Sequence, residues 1–135
     1  MNVVGLGVDI VEVERIERAI TRWGEAFIRR IYTPREIERS AAPVVVSARL
    51  AARFAAKEAV MKALGVGWCA LAWREIEIAN DHQGRPMVRL HGAALQIARS
   101  RGVVEVQVAL SHTHDHAVAN AVALGKGGSE DPQEK

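Results

Sequence analysis

The stretch ARLAARFAAKEAVMKALG, residues 48–65, constrains the chain most. At about 100° per residue, Leu50, Phe54, Val60, Met61 and Leu64 fall on one bulky apolar face. Ala51, Ala52, Ala55, Ala56, Ala59 and Ala63 cover the opposite side, where small side chains let another element approach closely. A helix that is apolar on two sides must be packed on two sides, so the rest of the chain has to supply both layers. The pattern predicts a helix over 47–64, stopped by Gly65 and Gly67.

The charges between Arg53 and Lys62 are the anomaly. Arg53 and Lys57 project within the bulky face, and Glu58 and Lys62 lie at the seam between the faces. An exposed Glu-to-Lys pair at this spacing stabilises a helix by only about 0.2–0.5 kcal/mol and needs no function. Four charges beside a core ask for more, because charges near apolar surroundings need partners. A bound anion together with a metal would supply both signs.

A second awkward charge stands in GVDIVEVERI, residues 7–16. The spacing predicts a strand over 3–9, ended by Asp9, and a helix over 12–23 carrying Val13, Ile16, Ala19, Ile20 and Trp23. Asp9 either caps that helix or holds something. Further on, 25–31 is a short helical pattern, and Thr33, Pro34 and Glu36 form a helix start with a capping box. Residues 40–46 are ambiguous. Strands are expected over 75–79 and 87–90 around the turn NDHQGRP, a helix over 91–101, and strands over 104–111 and 117–124. No internal repeat is evident. This order predicts an α+β fold, a mainly antiparallel sheet packed against the long central helix. A single domain over 1–124 is expected, with a disordered tail over 125–135.

Composition narrows the function classes. A formal charge of +2 suits anionic ligands, but no run of Lys and Arg forms a nucleic-acid arm, and 4% aromatics leaves little for stacking bases. The lone Cys69 rules out an intrachain disulfide and fits a reducing cytoplasm. No apolar stretch approaches the ~20 residues that span a membrane. Neither nucleic acid nor a membrane is therefore an expected partner.

Asp9 and Glu58 could hold Mg2+, a hard cation often bound by one or two carboxylates plus substrate phosphates. Lys62, Lys57 and Arg53 would then neutralise a phosphate. His112, His114 and His116 alternate and could imitate a transition-metal site, but a polar turn is the expected reading. Ser111, His112 and Asp115 lack a nucleophile elbow and are not expected to form a triad. Trp68, Cys69 and Trp73 are expected to pack the helix exit, and His91 to open the helix over 91–101.

The segments GLGVDIVEVERI, ARFAAKEAVMKALGVG, NDHQGRP and LSHTHDHAVANAVAL resemble, in order and spacing, the holo-acyl-carrier-protein synthases, small bacterial 4′-phosphopantetheinyl transferases. The resemblance covers nearly all of 3–124. It implies transfer of the phosphopantetheine arm of coenzyme A to a serine of apo acyl carrier protein, with release of adenosine 3′,5′-bisphosphate, in support of fatty-acid biosynthesis. It also implies Asp9 and Glu58 as metal ligands and catalytic residues with Lys62. Arg53, Gly65, Pro86, His112 and Thr113 match regions that line coenzyme A. An acidic carrier would meet Arg15, Arg22, Phe27 and Arg30. The family is a homotrimer with sites between subunits, so Pro86, His112 and Thr113 are candidates to serve a neighbour's site. Glu58, directly or through a metal-bound water, is the candidate base for the serine proton. One departure stands out: SAAPVVVS, residues 40–47, carries no Lys or Arg where relatives often have basic residues near the 3′-phosphate. The alternatives are a coenzyme A- or nucleotide-binding module and a metal-dependent pyrophosphate hydrolase.

Overall fold

The computed structural model describes residues 1–37, 43–67 and 69–126. Strand β1 (Asn2–Glu12) leads into helices α1 (Val13–Trp23), α2 (Glu25–Ile31) and α3 (Pro34–Ile37). The long helix α4 (Pro43–Leu64) follows, then a single 3-10 turn (Trp73–Glu75). Strands β2 (Ile76–Asn80) and β3 (Pro86–Leu90), helix α5 (Gly92–Ser100), and strands β4 (Val103–His112) and β5 (His116–Gly125) complete the chain. One sheet has the order β1-β5-β4, the other pairs β2 with β3, and every pairing is antiparallel. The α+β architecture around a central helix is as the sequence predicts. The disordered tail expected beyond 124 falls mostly outside the described residues, and Gly125 is the last residue of β5.

Two boundaries differ from expectation. Helix α4 begins at Pro43, four residues before the predicted 47. Proline suits a first helical position, and the valines after it continue the helix despite their modest propensity. Strand β1 runs three residues past Asp9, to Glu12. Asp9 is therefore inside the strand, opposite Ala119 on β5. It cannot cap α1, whose N-cap is Glu12.

The alanine face of α4 lies on the large sheet, and the sheet answers with small residues of its own. Ala117, Ala119, Ala121 and Ala123 on β5 are all buried. On β1, alternation puts Gly5, Gly7, Asp9 and Val11 on the same side as those alanines. A Cβ on Gly5 would collide with the carbonyl of Ala63, and one on Gly7 with that of Ala59. Helix and strand thus meet backbone to backbone. The bulky face of α4 packs on the other side, where Phe54 stacks on Trp73 with ring centroids 4.8 Å apart. Trp73 is buried as expected, Cys69 is instead exposed, and Trp68 lies outside the described residues.

The outer face of the large sheet is different. Leu6, Val8 and Ile10 are 59–70% exposed, and Val118 beside them is also exposed. No described helix is long and apolar enough to cross a membrane.

Candidate active site

Period-two alternation aims Asp9 at α4 just where the glycines have brought the helix close. Lys62 reaches back across the gap. Its Nζ donates to the Val8 carbonyl at 2.8 Å and lies 3.3 Å from Asp9 Oδ1. Glu58, one turn earlier and half-buried, completes the group. Burial pushes its carboxyl above the ordinary glutamate range, and the Asp9 carboxylate pushes the same way. Lys62 and Arg15 pull it back without cancelling the rise. Arg15 comes from α1 and lies over the Phe54 ring, 5.8 Å from its centroid. Asp9, Glu58, Lys62 and Arg15 therefore share one electrostatic neighbourhood.

Lys57 corrects the sequence reading. It is fully buried and cannot meet a substrate phosphate. Its Nζ lies 3.0 Å from Glu36 Oε1 and donates to the carbonyls of Trp73 and Ile76. Glu36 in turn accepts the backbone N–H of Thr33 at 2.8 Å and of Ile78 at 2.7 Å. The Thr33 N–H bond is half of the predicted capping box. The Thr33 hydroxyl does not complete it, donating instead to Glu77. Arg53 is also largely buried, and its guanidinium donates to Asn80 Oδ1. Asn80 passes the link to the Gly84 carbonyl at 2.9 Å, so Arg53 braces the β2–β3 turn.

The remaining expected residues are spread over the surface. Gly65 follows the last turn of α4 with a φ of 76°. Pro86 lines an open groove with Asp81, Met87 and residues of α5 and β4. His112 and Thr113 line another with Glu12, Glu14, Glu17 and Ala48. Among the described residues, no hydrogen bond, ion pair or ring contact joins Pro86, His112 or Thr113 to Asp9 or Glu58. Arg22 stacks on exposed Trp23 at 5.0 Å, Arg30 is exposed, and half-buried Phe27 meets Tyr32 edge-on. The histidines form no metal cluster: His114 pairs with Asp115 across an exposed turn. His91 precedes α5, as expected, and its ring meets Glu77 at 3.2 Å.

Among the described residues, Asp9 and Glu58 are a neighbouring pair of carboxylates that could hold a metal. Among the described residues no three His, Cys, Asp or Glu side chains gather into a metal-binding group. Two carboxylates fit a hard divalent cation whose other ligands come from phosphate and water, and do not fit a self-contained protein zinc site.

A sequence profile of the 4′-phosphopantetheinyl transferase superfamily matches residues 5–121. The chain belongs to that superfamily. The holo-[acyl-carrier-protein] synthase of Herpetosiphon aurantiacus is 50% identical over 126 residues, covering 88% of this chain and 97% of the relative. That of Solibacter usitatus is 45% identical over 121 residues, covering 89% and 97%. Among solved structures, the Neisseria meningitidis holo-[acyl-carrier-protein] synthase superposes with a TM-score of 0.82 at 35% identity, covering 91% of this chain and 99% of that one. The Helicobacter pylori synthase, solved in complex with coenzyme A, gives 0.77 at 29% identity, covering 88% and 99%. The phosphopantetheinyl transferase fold is thus shared over 91% of the chain with the first of these and 88% with the second.

Two features of this transferase escaped the sequence reading. The Gly5-x-Gly7-x-Asp9 stripe was visible as a period-two pattern that puts two glycines and an acid on one strand face. Arg101, whose Nη1 donates to the Leu64 carbonyl at the end of α4, left no local signal, because the contact spans 37 residues.

Proposed function

We propose that this protein transfers the 4′-phosphopantetheine group of coenzyme A to a serine of apo acyl carrier protein, yielding holo carrier and adenosine 3′,5′-bisphosphate. The observation that carries the proposal is the convergence of Asp9, Glu58 and Lys62 at the β1–α4 contact, in a chain of this superfamily. The reaction breaks a pyrophosphate bond, so charge develops on the transferring and leaving phosphates. Lys62 supplies a cation there. Glu58, directly or through a water, takes the serine proton. Mg2+ held by Asp9 and Glu58 would neutralise phosphate oxygens when bound. Coenzyme A lies along α4 past Arg53 and Gly65. Arg15, Arg22, Phe27 and Arg30 face the acidic carrier. The exposed pairs Glu14–Arg18 and Glu25–Arg29 occupy other arginines of α1 and α2 and leave these outside ion pairs among the described residues.

The protein acts as a homotrimer in the cytoplasm, in fatty-acid biosynthesis. The apolar outer face of β1 and β5 supports an interface, because exposed apolar patches of this kind mark association surfaces. Pro86, His112 and Thr113 then complete a neighbour's site, which agrees with their lack of contact to Asp9 and Glu58 in one subunit.

The decisive test mixes the protein with apo carrier, coenzyme A and Mg2+ and weighs the carrier. A gain of about 340 Da, the phosphopantetheinyl group, is expected. Bound coenzyme A with no gain would make the protein a binding module. Cleavage of coenzyme A without carrier would make it a pyrophosphate hydrolase.

A further inference from the structure

The C-terminal end of α4 presents an electrostatic problem. Met61 and Lys62 have their carbonyls satisfied by the N–H groups of Val66 and Gly65, both at 3.0 Å, with Gly65 left-handed. The helix end still carries partial negative charge, which repels an anion brought near it. The candidate site nevertheless runs along the last two turns of this helix. Lys62 is one cation at that end, shared with Asp9 and the Val8 carbonyl.

Arg101 is the other. It follows α5, and its Nη1 donates to the carbonyl of Leu64. The guanidinium lies directly against Gly65: a Cβ placed there would be 2.7 Å from Nη1 and 3.9 Å from Cζ. Arg101 pairs with no carboxylate among the described residues. A guanidinium has five N–H donors, and the Leu64 carbonyl occupies one side of it. The exposed residue therefore keeps donors for an anion while its contact with Leu64 offsets the helix dipole. Residues 40–47, across the start of α4, carry no Lys or Arg.

We infer that Arg101 binds a phosphate group of the co-substrate beside Gly65. The inference rests on the reading that coenzyme A lies along α4.

Steady-state kinetics of the full chain with Arg101→Gln and Arg101→Lys test it. Glutamine keeps a donor for the Leu64 carbonyl but loses the charge, whereas lysine keeps the charge. Arg101→Gln should raise KM for coenzyme A about tenfold, as expected for one charge-assisted hydrogen bond, with kcat and carrier KM nearly unchanged. Arg101→Lys should stay within about threefold of wild type. Repeating the series with dephospho-coenzyme A identifies the phosphate: the effect vanishes if Arg101 holds the 3′-phosphate and persists if it holds the pyrophosphate. Unchanged KM in Arg101→Gln would overturn the inference. So would a loss spread equally over kcat and both KM values with a lowered Tm, which marks a purely structural cap. A wild-type protein that neither binds coenzyme A by calorimetry nor modifies the carrier would instead overturn the parent reading.

Discussion

Lys57 and Glu58 are consecutive residues on α4, and the protein treats them in opposite ways. Lys57 is fully buried, yet all of its needs are met: Glu36 neutralises it and two carbonyls accept its protons. Glu58 is half-buried beside a second carboxylate, and among the described residues no hydrogen bond satisfies it. Burial lowers the Lys57 ammonium's pKa, and the Glu36 carboxylate opposes that shift. At Glu58 burial and Asp9 act together. The buried pair is a closed account of charge that ties α3, α4, the 3-10 turn and β2 together. The half-buried acids are an open one. Degree of burial alone would have ranked Lys57 as the functional residue, whereas completeness of partners ranks Glu58.

The sharpest way to break this comparison is to remove the open acids. Asp9→Ala and Glu58→Ala should each cut transfer to the carrier by about a thousandfold or more, with cooperative unfolding retained. Near-wild-type turnover in either variant would remove that residue from the site.

Lys57→Met should do the reverse. It strands Glu36 in the core and is expected to cost about 3–5 kcal/mol in denaturant unfolding. The double variant Lys57→Met/Glu36→Met should recover part of that loss. A stable Lys57→Met protein with abolished turnover would erase the distinction between the two residues.

Gly7→Ala tests the contact that brings the acids together. The new methyl would meet the Ala59 carbonyl, a backbone atom that cannot swing aside. A destabilisation of about 1–3 kcal/mol is expected, together with loss of transfer as α4 is displaced from Asp9. An unchanged melting temperature would show that the helix is free to retreat.

The smallest effect concerns Glu77, a second acid on the closed side. Burial alone would raise its pKa, but the Thr33 hydroxyl at 2.7 Å, the His91 ring and the charge of Arg35 together outweigh burial and lower it. A folded-state pKa below the unfolded one gives stability above the unfolded value that is lost as pH falls through the folded value. As the pH falls through the carboxyl's titration, wild type should therefore lose more stability than Glu77→Gln. Parallel pH curves would show that these hydrogen bonds carry no linkage.

The sequence made α4 legible because its two apolar faces leave only one way to be buried. Asp9, Glu58 and Lys62 were legible for a related reason, since each charge sits where apolar residues are otherwise required. The role of Lys57 was not, because a helical wheel shows that a charge enters the core but not that Glu36, 21 residues earlier, is waiting there. The bond from Arg53 to Asn80 was hidden for the same reason, its acceptor lying 27 residues away. The extension of β1 past Asp9 was present in the alternation that continues to buried Val11, but the charged residues after it resembled a helix start.

The backbone contact between β1 and α4 also acts as a ruler. Where two elements touch through long side chains, their spacing changes whenever a rotamer does. At Gly5 and Gly7 no rotamer intervenes, so the distance between strand and helix is set by covalent geometry and van der Waals radii alone. Asp9 and Glu58 are mounted on opposite sides of that gauge. The bulky side of α4 can therefore drift in sequence, or loosen with temperature, without recalibrating the distance between the two carboxylates.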